Sequence, residues 1–406
     1  MPGWPRRRPP SKRRRVARPR ALQNAGWSIG RNVNPQLSPS SRELDHHFMA
    51  RALALAARGL GATSPNPPVG AVVIRGNRVV GEGYHRRAGG PHAEVLALRR
   101  AGSRARGATL YVSLEPCCHL DKRTPPCVPA IIASGVARVV IAARDPNPKV
   151  RGRGLTALRR AGLRVDPGVG SADAELLIEP YRTLITSGRP FVTLKAASTL
   201  DGKIATAKGE SRWITGPAAR KLVHQLRGRA DAIVAGIGTI LADDPSLTAR
   251  TGAVRGRMPL RVVLDPSLRI PLRAKVLRGR KAPTLIVTTP QSTRARRAAL
   301  QKIGADVLVL PSRRGRIQWR VLLSELGRRG IASLLIEGGA EVNASALREG
   351  VVDRVLFFLA PRMLGGRDAV GAIGGRSPAH LSEALQLKRV SVMRVGPDIL
   401  VEGYLK

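Results

Sequence analysis

Three short stretches, His92-Ala93-Glu94, Pro116-Cys117 and Pro126-Cys127, carry side chains whose types and order suit hydrolytic chemistry on a metal. One imidazole and two thiolates hold a zinc ion and leave its fourth position for water, whose pKa then falls by several units. A carboxylate that is not itself a ligand can shuttle the proton of that water to a ring nitrogen and to a departing amine. Glu94 suits that task. It lies two residues from His92 at the expected start of a helix, where both side chains can face one mouth. Cys127 is expected to open the next helix, whose dipole favours the thiolate. The chemistry implied is replacement of a ring amine by oxygen.

Taken singly, each signal is bland: a lone His-Ala-Glu is usually a helix start, and a lone Pro-Cys usually nothing. Together and in this order they form the pattern of zinc-dependent nucleobase deaminases. Cys118, adjacent to Cys117, reads as a bystander. The rival is a closed structural zinc site with His119 as fourth ligand, which would leave Glu94 without a task. His46, His47, His224 and His380 have no ligand-like neighbours and read as surface or core histidines.

Periodicity supplies the elements that must hold these groups. Leu44 to Leu60 has helical spacing, and Ser64-Pro65-Asn66-Pro67-Pro68 reads as a loop. Gly70 to Ile74 and Val79 to Tyr84 flank Gly76-Asn77 as a hairpin. A helix is expected from His92 through Leu98, a strand over Thr109 to Ser113, and a helix from Pro126 to Ala133. A strand over Arg138 to Ala142, a helix over Gly154 to Ala161 and a short strand over Leu163 to Val165 complete an α/β layered domain. A seam falls near Thr186 to Pro190, beyond which a second alternation begins. Its strands are expected at 191–196, 232–235, 261–264, 284–287, 307–310, 333–336, 354–358 and 399–404, with helices at 217–227, 292–302, 318–328 and 340–348. Those helices suffice to cover both faces of a twisted sheet. The organisation expected is a basic extension over 1–42, a deaminase domain over 43–188 and a second α/β domain over 189–406.

Nine residues separate Cys117 from Cys127, where most nucleoside and nucleic-acid deaminases have Cys-x-x-Cys. The intervening loop includes His119, Lys122, Arg123 and Thr124, and suits a phosphorylated small molecule better than a flipped base. This half resembles the bifunctional riboflavin-biosynthesis deaminase/reductases. The resemblance is carried by Pro65-Asn66-Pro67-Pro68-Val69-Gly70, Gly81-Glu82-Gly83-Tyr84-His85, Ala88 to Glu94, Leu114 to Cys117, Arg123 to Cys127, Asp145 to Pro148 and Gly152 to Leu155. It implies a cytidine-deaminase-like three-layer fold, His92, Cys117 and Cys127 as zinc ligands, and Glu94 as proton shuttle. It also implies Asn66, His119 and Arg123 as substrate contacts. The loop between the cysteines is one residue longer than the family's usual length, which leaves Lys122 and Arg123 both open as the phosphate contact.

Read alone, the second half says only α/β. Gly236-Ile237-Gly238 and Gly338-Gly339 read as ordinary turns, and neither spells the dinucleotide fingerprint. A glycine pair between a strand and the helix at 340–348 does offer backbone N–H groups to a phosphate. Leu200-Asp201-Gly202-Lys203, Gly209 to Thr215, Leu241 to Pro245, Leu247-Thr248 and Ile336 to Gly339 resemble the reductase domain of the same family. That implies a dihydrofolate-reductase-like fold that uses NADPH. By position, Ala197, Trp213, Thr239, Asp243 and the run Gly339, Ala340, Glu341, Val342, Asn343, Ala344, Ser345 would hold the dinucleotide. Ser211, Arg227, Leu247, Arg250 and Glu337 would hold the ribosylamino substrate, with Lys203 close by. Without the resemblance, Trp213 reads as a core aromatic and Asp243 as a helix cap. The reaction implied is zinc-dependent deamination of a phosphoribosylamino-pyrimidine, then hydride transfer to the sugar C1′ to give a ribityl chain.

Composition bounds the rest. With 406 residues, two domains are the default, and 43% hydrophobic content at a mean hydropathy of −0.10 is that of a soluble protein. Three cysteines in so long a chain make no disulfide framework and point to a reducing compartment, so a cytoplasmic location is expected. No apolar run is long enough to span a membrane. The net charge of +43 is spread along the chain as an arginine surplus, which favours attraction of anionic substrates over a dedicated nucleic-acid face. Residues 1–42 hold eleven Lys or Arg and no acid, and are expected to be disordered. They read as a transit peptide to an organelle, a nucleic-acid-binding arm, or, the preferred reading, an extension from a misassigned start codon. The alternative function is an RNA-editing deaminase recruited by that arm. Assembly into a homo-oligomer is left open.

Overall fold

The computed structural model describes residues 40–119, 124–250, 258–279 and 282–405. The expectation for the basic extension therefore lies almost wholly outside the described residues.

The amino-terminal half runs α1 (Ser41–Ala57), β1 (Gly70–Arg75), β2 (Arg78–Tyr84), α2 (Ala93–Ala101), β3 (Thr109–Leu114), α3 (Cys127–Ala133), β4 (Arg138–Ala143), α4 (Arg153–Arg160), β5 (Arg164–Pro167), α5 (Ser171–Leu177) and α6 (Glu179–Ser187). Its sheet has the order β2-β1-β3-β4-β5, with β1 antiparallel to β2 and β3, and β3, β4 and β5 parallel. Alternate strand residues face opposite ways. Val73, Val112 and Ile141 therefore pack under α2, α3 and α4, while Val72, Tyr111 and Val140 pack under α1, α5 and α6. This is the three-layer arrangement expected. A Cβ at Gly81 would fall 2.2 Å from the Ala97 carbonyl, and one at Gly83 2.6 Å from Leu96 Cβ. Glycine at both positions lets α2 lie directly on β2, which fixes where the His92 end of that helix emerges.

The carboxy-terminal half runs β6 (Phe191–Thr199), β7 (Lys203–Ala205), α7 (Pro217–Arg229), β8 (Ala232–Gly236), α8 (Ile237–Asp243), β9 (Leu260–Leu264), β10 (Thr284–Thr288), α9 (Arg294–Lys302), β11 (Asp306–Val309), β12 (Ser312–Arg313), β13 (Arg316–Ile317), α10 (Trp319–Arg328), β14 (Ser333–Ile336), α11 (Ala340–Arg348), β15 (Arg354–Ala360), β16 (Val370–Gly371), β17 (Lys388–Val395) and β18 (Asp398–Tyr404). Nine strands form one sheet in the order β11-β10-β9-β8-β14-β6-β15-β18-β17. The first seven are parallel, and β18 and β17 add antiparallel. Helices α10 and α11 cover one face, and α7, α8 and α9 the other. Burial on both faces explains the near-continuous apolar runs of the central strands.

Several elements depart from expectation. Gly236-Ile237-Gly238 is no ordinary turn, because Gly236 is the N-cap of α8. Helices α5 and α6 are short and fill a stretch that had no assignment, and β17 escapes detection because all its residues but Val395 are exposed.

A charged cluster ties α1 to the sheet. The Arg138 guanidinium makes two bonds to Asp45, at 2.8 and 2.7 Å, and a third to Asp166, while the Tyr111 hydroxyl donates to Asp45 at 2.7 Å. Burial alone would raise the Asp45 carboxyl, but the Arg138 and Tyr111 bonds outweigh it and hold it below its ordinary value. We expect Asp45→Ala to lower unfolding stability by about 2–3 kcal/mol in urea titrations, because it leaves Arg138 short of a partner. Because the folded-state value is depressed, the contribution of Asp45 should be complete above the unfolded carboxylate range and fade as pH falls through the folded value. The variant's deficit should shrink accordingly below about pH 4.

Candidate active sites

His92 sits at the N-cap of α2, Cys117 follows β3, and Cys127 is the first residue of α3. Their ligand atoms all lie within 4.8 Å of one another, with His92 Nδ1 at 3.2 Å from Cys127 Sγ and 3.5 Å from Cys117 Sγ. Two sulfurs and one imidazole nitrogen in that span fit a tetrahedral zinc ion with one position open. The second ring nitrogen, Nε2, is 3.0 Å from Thr124 Oγ1, the outer-shell bond that orients a ligating imidazole. The Cys127 N–H points at Cys117 Sγ at 3.4 Å, which favours a thiolate there. His119 is not in the cluster and Cys118 turns to the Lys149 carbonyl, so the closed four-ligand site has no support.

Glu94, one residue into α2, is 3 % exposed and contacts Cys127. Burial first, then the Cys117 sulfur, raise its carboxyl above the ordinary value, and His92 pulls the other way. A buried carboxyl at this position suits proton transfer.

Asn66 Nδ2 lies 3.3 Å from His85 Nε2, and the His85 ring packs edge-on against His92 with centroids 5.2 Å apart. His85 Nδ1 is 3.1 Å from the Pro91 carbonyl, which can only accept. Nδ1 therefore carries the proton, and Nε2 accepts from the Asn66 amide. Burial first lowers the His85 pKa, in keeping with a neutral ring. His85 and Thr124 were not picked out as site residues in the sequence; a histidine at the end of β2, facing the metal motif, was the available signal. Arg123, with Lys122, lies outside the described residues. Glu115, just before Pro116-Cys117, accepts from the N–H groups of Asp145, Gly152, Gly154 and Leu155 and so fixes the loop behind the cysteine.

The second constellation lies at the carboxyl ends of β6, β8 and β14, where ligands enter open α/β sheets. Glu337 directly follows β14 and Arg227 comes from α7; they form two 2.7 Å bonds. Burial would raise Glu337, yet the Arg227 charge and bonds, then Lys195, bring it below its ordinary value. Lys195 is itself lowered, chiefly by burial. It stands out in retrospect as the one charged residue in the apolar run of β6. His224 Nδ1 accepts from the Arg250 N–H at 3.4 Å, which places Arg250 beside α7.

Ser211 donates to Asp243 at 2.9 Å, and Arg212 bonds the Asp243 carbonyl. Trp213 is 60 % exposed, with the Arg220 guanidinium 4.6 Å from its ring centre, so it is no core aromatic. Asp243 ends α8 and is no N-cap. Gly338 and Gly236 both press on Val342, where a Cβ at either would come within 2.5 Å. Gly339 caps α11 over Thr239 without a side-chain cap, which leaves the first-turn amides of Ala340, Glu341 and Val342 for an anion. Asn343 bonds the Ala372 carbonyl, Ala344 is buried, and Ser345 bridges Trp319 Nε1 and the Val342 carbonyl, so their side chains serve packing. Leu247 points into the core, Ala197 lies on β6 beside β15, and Lys203 Nζ donates to the Ala369 carbonyl.

Residues 190–401 match the family model described as the RibD C-terminal domain, and residues 42–143 match the cytidine and deoxycytidylate deaminase zinc-binding region. The chain is 45% identical over 360 residues to riboflavin biosynthesis protein RibD of Aquifex aeolicus, covering 89% of this chain and 98% of that one. The chain belongs to the RibD family. RibD of Escherichia coli is 41% identical over 366 residues, covering 87% and 98% of the two chains. Among solved structures, Acinetobacter baumannii RibD superposes with a TM-score of 0.80 at 37% identity, covering 90% of this chain and all of that one. A Thermotoga maritima diaminohydroxyphosphoribosylaminopyrimidine deaminase/5-amino-6-(5-phosphoribosylamino)uracil reductase gives 0.78 at 37%, with the same coverage. RibD relatives match across both halves, so the RNA-editing alternative is not favoured.

We expect Cys127→Ala to abolish tightly bound zinc, measured by metal analysis of the purified protein, and Cys118→Ser to retain one zinc per chain. Glu115→Gln puts an amide N–H against backbone donors, and should loosen zinc retention without touching a ligand.

Proposed function

We propose that the chain carries out two successive steps of riboflavin biosynthesis, deamination of diaminohydroxyphosphoribosylaminopyrimidine and reduction of the resulting 5-amino-6-(5-phosphoribosylamino)uracil. The observation that carries the first step is the convergence of His92, Cys117 and Cys127 beside buried Glu94. A zinc ion bound there supplies Lewis acidity, which makes water nucleophilic near neutral pH. His92 offers Nδ1 while Thr124 fixes its ring, and Glu94 carries the proton from the attacking water to the ring nitrogen and then to the leaving ammonia. Asn66, held by neutral His85, is placed to read the pyrimidine edge.

For the second step, bound NADPH would supply the hydride that turns the ribose into a ribityl chain. Arg227 and Glu337 form a rigid charged wall for the ribosylamino substrate, with the guanidinium fork of Arg227 spent on Glu337. The open amides at the start of α11 suit a dinucleotide phosphate, and Ser211–Asp243 braces the segment that presents Trp213. The domain reading remains 43–188 for deamination and 189–406 for reduction. No helix among the described residues is long and apolar enough to cross a membrane.

Two variants separate the halves. Glu94→Gln should reduce deamination at least a thousandfold (roughly 4 kcal/mol of barrier), yet still oxidise NADPH with pre-deaminated substrate. Arg227→Ala should show the reverse pattern. Loss of both activities in either variant would contradict the assignment.

A further inference from the structure

The loop that carries Asn66 is fastened to the other half of the chain. Ser64 Oγ donates to Asp231 Oδ2 at 2.7 Å, across 167 positions of sequence. Asp231 stands just before β8, is 3 % exposed, and cannot drift, because the same oxygen accepts the N–H groups of Ala332 and Ser333 at 2.9 Å each. Its own N–H donates to Ser333 Oγ at 2.9 Å, which closes the clamp on the foot of β14. On the loop side the chain between Ser64 and the site is short and taut. Thr63 is buried with its hydroxyl on the Gly59 carbonyl, and the Asn66 N–H donates to the Thr63 carbonyl at 2.8 Å. A displacement of Ser64 is therefore passed to Asn66, and through the Asn66–His85 bond to the ring packed against His92.

We infer that Ser64 and Asp231 are positioning residues for deamination, by which the carboxy-terminal half sets the placement of Asn66 over the pyrimidine. The inference rests on the reading of Asn66 as a substrate contact. Ser64 does not hold the halves together by itself, since Glu179 on α6 separately accepts the Tyr404 hydroxyl at 3.2 Å and pairs with Arg389 at 3.8 Å. Removing the Ser64 hydroxyl should thus loosen one loop and leave the assembly of the halves intact. Asp231 lies at the amino ends of β8 and β14, whereas Glu337 and α8 lie at their carboxyl ends. The fastening therefore touches the reductase sheet at the end away from its own site.

Steady-state deamination and reduction are to be measured separately on full-length Ser64→Ala, Ser64→Thr and Asn66→Ala, with zinc content and melting midpoint. Loss of one neutral hydrogen bond should raise the deamination KM of Ser64→Ala about three- to tenfold. Its reduction parameters, zinc content and midpoint should stay at wild-type values, and Ser64→Thr should recover most of the loss. An unchanged deamination KM in Ser64→Ala, alongside a raised one in Asn66→Ala, would overturn the inference and leave the substrate reading standing. So would a parallel fall of both activities with the melting midpoint, which would make the bond merely structural. If Asn66→Ala itself leaves deamination at wild-type values, it is the substrate reading that fails.

Discussion

Two sulfurs and an imidazole nitrogen brought within 4.8 Å of one another form the constraint around which the amino-terminal half is organised. Such donors must be deprotonated to bind a cation, and their approach links metal affinity to folding. Each stands at the end of an element rather than within one: the cap of α2, the exit of β3 and the first residue of α3. Element ends leave backbone N–H groups unpaired and can converge without distorting a helix or a sheet. The supports follow from that placement. Glycines on β2 let α2 lie close, Glu115 collects four backbone donors behind Cys117, and Thr124 meets the far nitrogen of His92.

The carboxy-terminal half solves a different problem with the same economy. A hydride acceptor and a dinucleotide must meet without water between them, and the carboxyl ends of parallel strands provide the shared crevice. Arg227 and Glu337 neutralise each other in a largely buried pair, and either left alone there would be costly. Lys195 lies beside Glu337 and helps hold that carboxyl below its ordinary value. The dispersed arginine surplus of the chain favours anionic substrates at longer range.

The zinc motif and its framework were legible because the chemistry demands particular residue types in a fixed order, and because apolar periodicity places the helices around it. Strands buried on both faces were found for the same reason. Other features were hidden by physics that acts across the fold. His85 and Thr124 gain their roles from contacts with His92 across 7 and 32 residues of sequence, and only the position of His85 at the end of β2 hints at one of them. Short α8 looks like a turn because glycines flank its start, and exposed β17 has no buried face to impose alternation. Trp213 was misread when taken alone, because a large aromatic is usually buried, whereas here it stands in solvent beside Arg220. The resemblance to the deaminase/reductases, rather than periodicity, supplied the residues of the second site.

His92, Cys117 and Cys127 should hold zinc and leave one position to water. X-ray absorption at the zinc edge of the purified protein reads that coordination. The expected spectrum is that of a four-coordinate ion with two sulfurs at about 2.3 Å and light N/O neighbours at about 2.0–2.1 Å. A shell with three or four sulfurs, or with none, would contradict it.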